Sequence, residues 1–524
     1  SQPAGAQDDT ANPMITPDVR LPRPKRASTG PALREDLVVR MPLQDIIQRS
    51  VMYSREVQVA GYDPAIAKTR ILEALARFDP TPYLNAKVDR LDTQVLFSGI
   101  ERGDVYTAEA GIKQLLPSGG QVQLSYQTQY NDIILNPASS VGNIGRQNAD
   151  YWDDQLKLQL TQPLLRNFGT EINQARITIA QNDQQVSVLD FRKALEENIA
   201  ELEKDYWQSQ EAEQEVIIQE RLLRQTEATR NILVKQSERG GAVSRVQTSQ
   251  AIASVETRGA VLIRARARLR DISYDIKRRM NDPNFPVAGP AVIMPYDQPT
   301  EVKLEFLVKD QIDAAVLNRF ELGQQQLRIN DAAIAQRVAL NNTQPKLDLV
   351  GSIGLEGIAE NNGIALSNQF IDRGQLAWSV GFQFELPLGN REARAIFRRS
   401  QIQRLQAITQ YANLVDQVAL DVLTAINEID TTWNEIGSRR YARFAQADEL
   451  LALEQRQKNG EPLTPTFVQL LLDAQSQLAD AQREEALAIA SYQVAIARLE
   501  RAKGTLLRYN NVVLAEGQFR GMNR

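Results

Sequence analysis

Two long segments of this chain, 164–282 and 388–461, contain no proline and are rich in helix-forming residues. Because proline breaks helices, each segment can hold a helix of unusual length. At 1.5 Å per residue, roughly 70 helical residues span about 100 Å. Each segment follows a strand in which apolar and polar residues alternate, at 155–161 and at 375–386. A strand that leads into such a helix, twice in one chain, predicts a tube rather than a globule.

Composition narrows the functional classes. The 524 residues include no Cys and no His, and 60 basic residues face 65 acidic ones for a net charge of −5. The chain therefore lacks His, which is the commonest general base and metal ligand in proteins. Without Cys it can form no disulfide, no metal site with thiolate ligands and no thiolate nucleophile. The charge balance offers no basic surface for nucleic acid. We predict no enzyme activity, no metal or other cofactor, and no nucleic-acid partner. A carboxylate enzyme is the alternative, but no paired acids in a loop suggest acid–base catalysis.

Membrane-crossing helices are not expected, because no run of 18 apolar residues occurs. The first residues, Ser-Gln-Pro-Ala-Gly-Ala, lack the basic-then-apolar pattern of a signal peptide, which predicts either a cytosolic protein or a mature form. A β-barrel is then the membrane-spanning structure to consider.

The order of elements repeats, which predicts an internal duplication. Pro82 corresponds to Pro345, and Pro163 corresponds to Pro387. In each half, the segment between the two prolines is a strand region that precedes a long helical hairpin. That segment has 80 residues in the first half and 41 in the second. The surplus includes an alternating segment near 105–130 that is typical of a hairpin turning at 117–120.

Alternation in the strands separates an apolar face from a polar one. The polar face suits a wet lumen, and the apolar face suits lipid. A sheet lying on a soluble core is the alternative, but the following helices offer no compact body to cover it. Too few strands are present to close a barrel alone, which predicts a ring of several copies. The predicted lipid-facing residues are Leu156, Leu158, Leu160, Leu347, Leu349, Leu355, Trp378, Val380, Phe382 and Phe384.

The long helices carry narrow apolar stripes at three- and four-residue spacing, which favours lateral packing as in coiled coils. A coiled-coil rod without a channel is the alternative. Such a rod has no use for strand pairs at the same end of both repeats.

Local motifs then match a known family. The sequences Gln162-Pro-Leu-Leu-Arg-Asn-Phe-Gly169, Gly240-Gly-Ala-Val-Ser244 and Gly460-Glu-Pro-Leu-Thr464 resemble its strand end and its two helical tip turns. Ser54-Arg-Glu-Val and Arg319-Phe-Glu-Leu resemble its early helical element. Over roughly 42–508 the chain resembles the TolC-like outer membrane efflux proteins.

The resemblance implies an α+β membrane protein and a homotrimer. Each chain would give four strands to a twelve-stranded outer-membrane barrel, and the long helices would form a periplasmic α-barrel with a belt near 42–60, 301–320 and 495–508. The implied function is an exit duct in the outer membrane of a Gram-negative-type cell, for a tripartite efflux pump or type I secretion system. The implied partners are a periplasmic adaptor, an inner-membrane transporter and outer-membrane lipid. The alternative is a structural coiled-coil scaffold of the cell envelope.

The resemblance also suggests functional residues at the tips. Adaptor binding is expected at the tip turns: Gly240, Gly241, Ser244, Gly460, Pro462 and Thr464. Candidates for an acidic aperture are Asp448, Glu449, Glu454, Glu238 and, as a charged neighbour, Arg239. A lipidated N-terminal cysteine, found in a subset of the family, is not expected in a chain without Cys.

These expectations divide the chain into eight segments. The first four are a disordered or extended leader (1–40), periplasmic helices (41–81), barrel strands with the extra hairpin (82–168) and a long helical hairpin (169–285). The last four are a linker with an equatorial region and helix (286–344), barrel strands (345–389), a second long hairpin (390–508) and a tail (509–524).

Overall fold

The computed structural model describes residues 37–92, 99–136, 147–238, 245–367 and 375–513. In these ranges no helix is both long enough and apolar enough to cross a membrane. The helices are α1 (Leu43–Tyr53), α2 (Arg55–Leu75), α3 (Thr170–Asn173), α4 (Ala175–Glu238), α5 (Arg245–Met280), α6 (Val308–Asn318), α7 (Phe320–Asn341), α8 (Asn362–Ser367), α9 (Arg391–Lys458), α10 (Pro465–Ala502) and α11 (Leu506–Tyr509), with a 3₁₀ turn at Ala76–Phe78. The strands are β1 (Leu37–Met41), β2 (Thr81–Asp92), β3 (Gly99–Leu115), β4 (Gln121–Asn136), β5 (Gln147–Pro163), β6 (Ala291–Pro295), β7 (Lys346–Ala359) and β8 (Gln375–Glu385).

Two helices dominate the molecule. Helix α4 has 64 residues and α9 has 68, so they extend for about 96 and 102 Å. The shorter helices α5 and α10 run back along them. Helix α4 packs between α5 and α10, and α10 packs between α4 and α9. In the half of the layer away from the sheet the lateral order is therefore α5–α4–α10–α9. Nearer the sheet, α2 packs on α4, and α7 packs on both α4 and α9.

A single antiparallel sheet stands at one end of these helices, in the order β2-β3-β4-β5-β7-β8. The sheet has six strands, two more than the four that the resemblance implies. The surplus residues between Pro82 and Pro163 form two additional strands, joined at a tight turn in which Leu116 N–H donates to Gly120 O at 2.6 Å. Gly119 has φ +92° there, a conformation that favours glycine.

A second, two-stranded sheet includes the end of the predicted leader. Strand β1 pairs in parallel with β6, from Leu37 opposite Ala291 to Met41 opposite Pro295. Residues 37–40, predicted as part of a disordered or extended leader, are thus extended and paired in a sheet. The rest of the leader, 1–36, lies outside the described residues.

Apolar packing is concentrated around the middle of the long helices. One cluster joins α1, β6, α4 and α5 through buried residues that include Ile47, Ile199, Ile276 and Ile293. A second joins α6, α7, α9 and α10 and includes Leu322, Val422 and Tyr492. These clusters fix the long helices side by side, and the sheet projects beyond them.

Candidate functional site

One face of the six-stranded sheet carries most of its apolar side chains. Directly paired residues of antiparallel strands lie on the same face, so the register defines rows that cross the sheet. One row joins Pro82, Ile112, Leu124, Leu158, Ile353 and Trp378. The next joins Leu84, Ala110, Tyr126, Leu156, Leu355 and Leu376. All ten of the predicted lipid-facing residues lie on this face.

This face is open to the surroundings. Leu84 is 76% exposed, Trp378 73% and Phe382 70%. An apolar patch that spans six strands is far larger than soluble monomers expose, so another phase or another molecule must cover it.

The opposite face is polar and more enclosed. Ser125, Asn131 and Asp348 lie on it and are buried. Its side chains bond laterally: Tyr83 OH donates to Glu109 Oε1 at 2.7 Å, and Gln123 Nε2 donates to Tyr83 OH at 2.7 Å. Near the strand ends farthest from the long helices, Val105 and Ile133 are also buried on this face. Polar side chains thus occupy most of the enclosed face while apolar ones occupy the exposed face, the reverse of a soluble β-sandwich.

An aromatic row marks one end of the apolar face. Tyr106, Tyr130 and Trp152 are neighbours on adjacent strands, with ring centroids 6.2 and 5.0 Å apart. Tyr and Trp prefer the boundary between an apolar phase and water. Helix α8 lies across β5 and β7 close by, and Asn362 Nδ2 donates to Thr128 Oγ1 at 3.1 Å. Sequence reasoning missed this row, although the alternation of β4 and β5 carries its signal.

The outermost helices also leave apolar side chains uncovered. On α9, Ile402, Leu405 and Ile408 recur every three residues and are 56, 64 and 44% exposed. Farther along, Leu420 and Leu423, then Tyr441 and Phe444, continue the same side of the helix. This open stripe differs from the buried side of α9, on which Val418, Val422 and Ile429 contact α10 or α7.

Helix α5 has a matching open stripe at the other edge. Ile252, Ile263 and Tyr274 recur every eleven residues, which keeps them on one side of a helix, and they are 44, 68 and 42% exposed. Apolar side chains on both outer edges of the helical layer indicate lateral neighbours beyond the single chain.

The second tip turn, between α9 and α10, is sharply defined. Gly460 has φ +87°, and its N–H donates to Gln457 O at 3.2 Å while Glu461 N–H donates to Arg456 O at 3.2 Å. This is the Schellman pattern, in which glycine supplies the left-handed residue. Thr464 Oγ1 then caps α10 by accepting from Phe467 N–H at 3.3 Å. Gly460, Pro462 and Thr464 are all exposed.

The two hairpins meet at their tips. Leu233 of α4 and Ala251 of α5 pack with Val468 and Leu472 of α10. Gln247 Nε2 donates to Leu463 O at 2.5 Å, which ties the start of α5 to the second turn. The predicted residues Arg239, Gly240, Gly241 and Ser244 of the first turn lie outside the described residues.

The predicted aperture acids of α9 point in different directions. Leu450 and Leu453 mark the side that packs on α10. At 100° per residue, Asp448 points away from that side, while Glu449 and Glu454 lie on opposite flanks. Asp448 and Glu449 are exposed, Glu454 is half-buried, and Glu238 at the end of α4 is exposed. These three α9 acids therefore cannot all line one lumen from a single helix.

Two buried acids hold the C-terminal segment against α4. Glu196 Oε1 accepts from Leu506 N–H at 3.2 Å, and Glu203 Oε1 accepts from Asn510 Nδ2. Burial raises the pKa of each carboxyl to about 7, although the hydrogen bond that each carboxyl accepts lowers its pKa. Nearby Glu500 raises the pKa of Glu203 further. Sequence patterns gave no sign of these groups, because acids are common along such helices.

Comparison with known proteins identifies the fold. No protein-family model and no curated protein sequence matches the chain. Among solved structures, the Campylobacter jejuni CmeC outer membrane channel matches 88% of this chain and 86% of its own, with 15% identity and a TM-score of 0.63. The Neisseria gonorrhoeae MtrE outer membrane channel, solved in its open state, matches 91% of this chain and 94% of its own, with 17% identity and a TM-score of 0.60. The outer-membrane channel OprN matches 88% and 90%, with 16% identity and a TM-score of 0.63. The predicted resemblance to TolC-like channels is confirmed at the level of the fold.

Proposed function

We propose that this chain forms an outer-membrane exit duct, assembled as a homotrimer. The sheet would lie in the outer membrane and the long helices would form a tunnel in the periplasm. The observation that carries the proposal is a sheet with an exposed apolar face and an enclosed polar face, placed at one end of helices about 100 Å long. Lipid covers such a face, whereas a soluble coiled-coil scaffold leaves it in water.

The helical layer supports the assembly. Each chain has open apolar side chains on α5 and on the half of α9 that packs on α10, so that half of α9 in one copy can pack on α5 of the next. A repeated contact between two different surfaces closes into a ring when the rotation between copies divides a full turn. With four long helices per chain, three copies would give a tunnel of twelve helices.

The height of the apolar face also suits a bilayer. Between Leu347 and Leu355 strand β7 rises about 26 Å, and membrane barrels carry an apolar band about 25 Å tall. Tilt shortens the vertical height to about 20 Å, and the aromatic row adds about 10 Å at one end.

The proposed partners are a periplasmic adaptor and an inner-membrane transporter. The exposed tip turn around Gly460 and Pro462 offers a small, rigid surface at the far end of the tunnel from the sheet. A helical hairpin of an adaptor would fit there, because glycine allows close approach of another backbone. A duct of this kind needs no catalytic residues.

Membrane fractionation and planar-bilayer recording test the proposal. We expect trimers in the outer-membrane fraction that conduct ions after reconstitution. Trp378→Arg places a charge near mid-height of the apolar face, where Arg costs about 2–4 kcal/mol at the bilayer centre, so it should deplete the protein from the membrane. Ala377→Arg, one residue along and on the polar face, is the matched control and should assemble normally. A monomeric, non-conducting particle, or equal tolerance of both variants, would contradict the duct.

A further inference from the structure

We infer that the sheet closes by pairing β8 of one copy with β2 of the next, so that all six strands of each chain enter the barrel wall. Within the proposed trimer this gives eighteen strands instead of twelve. The inference rests on the proposed function for the number of copies. The pairing itself follows from the register of the sheet.

The two edges of the sheet are suited to each other. In the described part of the chain, β2 has one neighbour, β3, and β8 has one neighbour, β7. All pairs in the sheet are antiparallel, so with six strands β2 and β8 run in opposite directions and can pair antiparallel as well. They have 12 and 11 residues respectively. Every residue of β8 is exposed, including five large apolar side chains from Leu376 to Phe384. A long apolar edge of this kind pairs with another strand unless something blocks it.

The stagger between the edges has the size that a barrel requires. Following the rows across the sheet, Gln375 stands level with Asn85 and Ser379 with Thr81. The rest of β8, from Val380 to Glu385, extends past the first residue of β2. Strand β8 of one copy and β2 of the next therefore overlap along nearly their whole length only if the next copy is displaced along the strands by about six or eight residues. The displacement is an even number, because an odd one would place the apolar face of one copy beside the polar face of the next.

That displacement predicts the strand tilt. Six residues correspond to about 20 Å and eight to about 26 Å, spread over six strand spacings that total about 29 Å. The resulting tilt is about 35° or about 42°, within the range of about 35–45° for membrane barrels. The apolar residues show the same stagger. Leu84 of β2 is level with Leu376 of β8, and Val88 of β2 lies farther from the long helices than either. Phe384 of β8, in contrast, lies closer to the long helices than the first residue of β2.

The helices agree with this direction of closure. Helix α9 follows β8 along the chain, so β8 and α9 form one side of the protomer. The other outer helix, α5, carries the opposite open stripe. Pairing of β8 with β2 therefore brings α9 of one copy towards α5 of the next, the contact already required by the open stripes.

The consequence is a wide barrel. Eighteen strands at these tilts enclose a ring about 34–37 Å across between backbones, one and a half times that of twelve strands at the same tilt. Barrels of 16–18 strands leave an aqueous channel. The sheet is then not the narrowest part of the duct, and its extra hairpin is wall rather than an external cap.

Engineered disulfides test the closure, because the chain has no cysteine of its own. The displacement places Phe382 opposite Leu84 or Ala86 of the next copy. Phe382→Cys combined with Leu84→Cys or with Ala86→Cys should give covalent dimers and trimers on denaturing gels, which a reductant removes. The matched control combines Phe382→Cys with Leu124→Cys or Tyr126→Cys on β4. Those pairs would cross-link only if β8 closed on β4 and left the β2–β3 pair outside a twelve-stranded wall.

The outcomes separate this inference from the duct. Cross-linking through β2, with none through β4, supports eighteen strands. Cross-linking through β4, or none through β2 in trimers that still conduct, overturns the inference and leaves the duct intact. If the parent chain neither forms trimers nor conducts, both fail together.

Discussion

Replacement of the buried acid Glu203 should stabilise the protein in alkaline solution. Glu203 is 2% exposed, and its pKa is raised from 4.5 to about 7 chiefly by burial. In the unfolded chain the carboxyl ionises near its ordinary pKa of about 4.3. The folded protein therefore holds a proton that the unfolded chain releases, and stability falls as the pH rises through the folded pKa.

The size of the effect follows from the pKa shift. One pKa unit corresponds to 1.36 kcal/mol, so above about pH 8 the charged carboxylate lowers the free energy of unfolding by about 3–4 kcal/mol. Glu203→Gln resembles the protonated acid, and its amide oxygen can still accept from Asn510. We expect the variant to gain about 3–4 kcal/mol at about pH 8.5 and only about 0.5 kcal/mol at about pH 4.5.

Thermal unfolding of the detergent-solubilised protein, followed by circular dichroism across this pH range, measures the gain. A melting temperature a few degrees above that of the parent is expected at the alkaline end, since 1 kcal/mol shifts chains of about 200 residues by about 2–4 °C and longer chains by less. Glu197→Gln is the control on the same helix, because its side chain is exposed and its ion pair with Arg501 contributes about 1 kcal/mol at most. A gain that is equal at both ends of the pH range, or absent at the alkaline end, would refute burial as the cause.

Two further predictions concern the tips. Gly460→Trp should abolish export while trimers still assemble, and Gly460→Asn, which tolerates the left-handed backbone, should retain export; export by the Trp variant would place adaptor docking elsewhere. Gly240→Trp in the first turn should behave as Gly460→Trp does. Neutralising Asp448, Glu449 and Glu454 together should reduce cation selectivity, because whichever of them faces the lumen forms an acidic ring, and such rings in a narrow pore favour cations. An unchanged reversal potential in a salt gradient would remove these acids from the aperture.

Local pattern determined the elements from which the duct is built. The proline-free segments contain α4 and α9, and the glycine at 460 ends α9 where the sequence predicts a turn. Strict alternation in β5, β7 and β8 fixed which side chains share a face, because side chains in a strand point to opposite faces in turn. Alternation within one strand depends on neighbours along the chain, and a single sequence contains it. The pairing register then places the predicted lipid-facing leucines of β5 and β7 on one face with Trp378 and Phe382 of β8.

Only the tertiary structure decided what distant segments do together. The number of strands in the sheet depends on whether the hairpin after Gly99 pairs with β5, a contact between segments that alternation alone cannot assign. The burial of Glu203 depends on the C-terminal segment folding back onto α4, and nothing in the local sequence marks that acid among many others. The open stripes of α5 and α9 likewise become visible only after the other sides of these helices are packed. Sequence patterns specify faces, whereas tertiary packing decides which of those faces remain open.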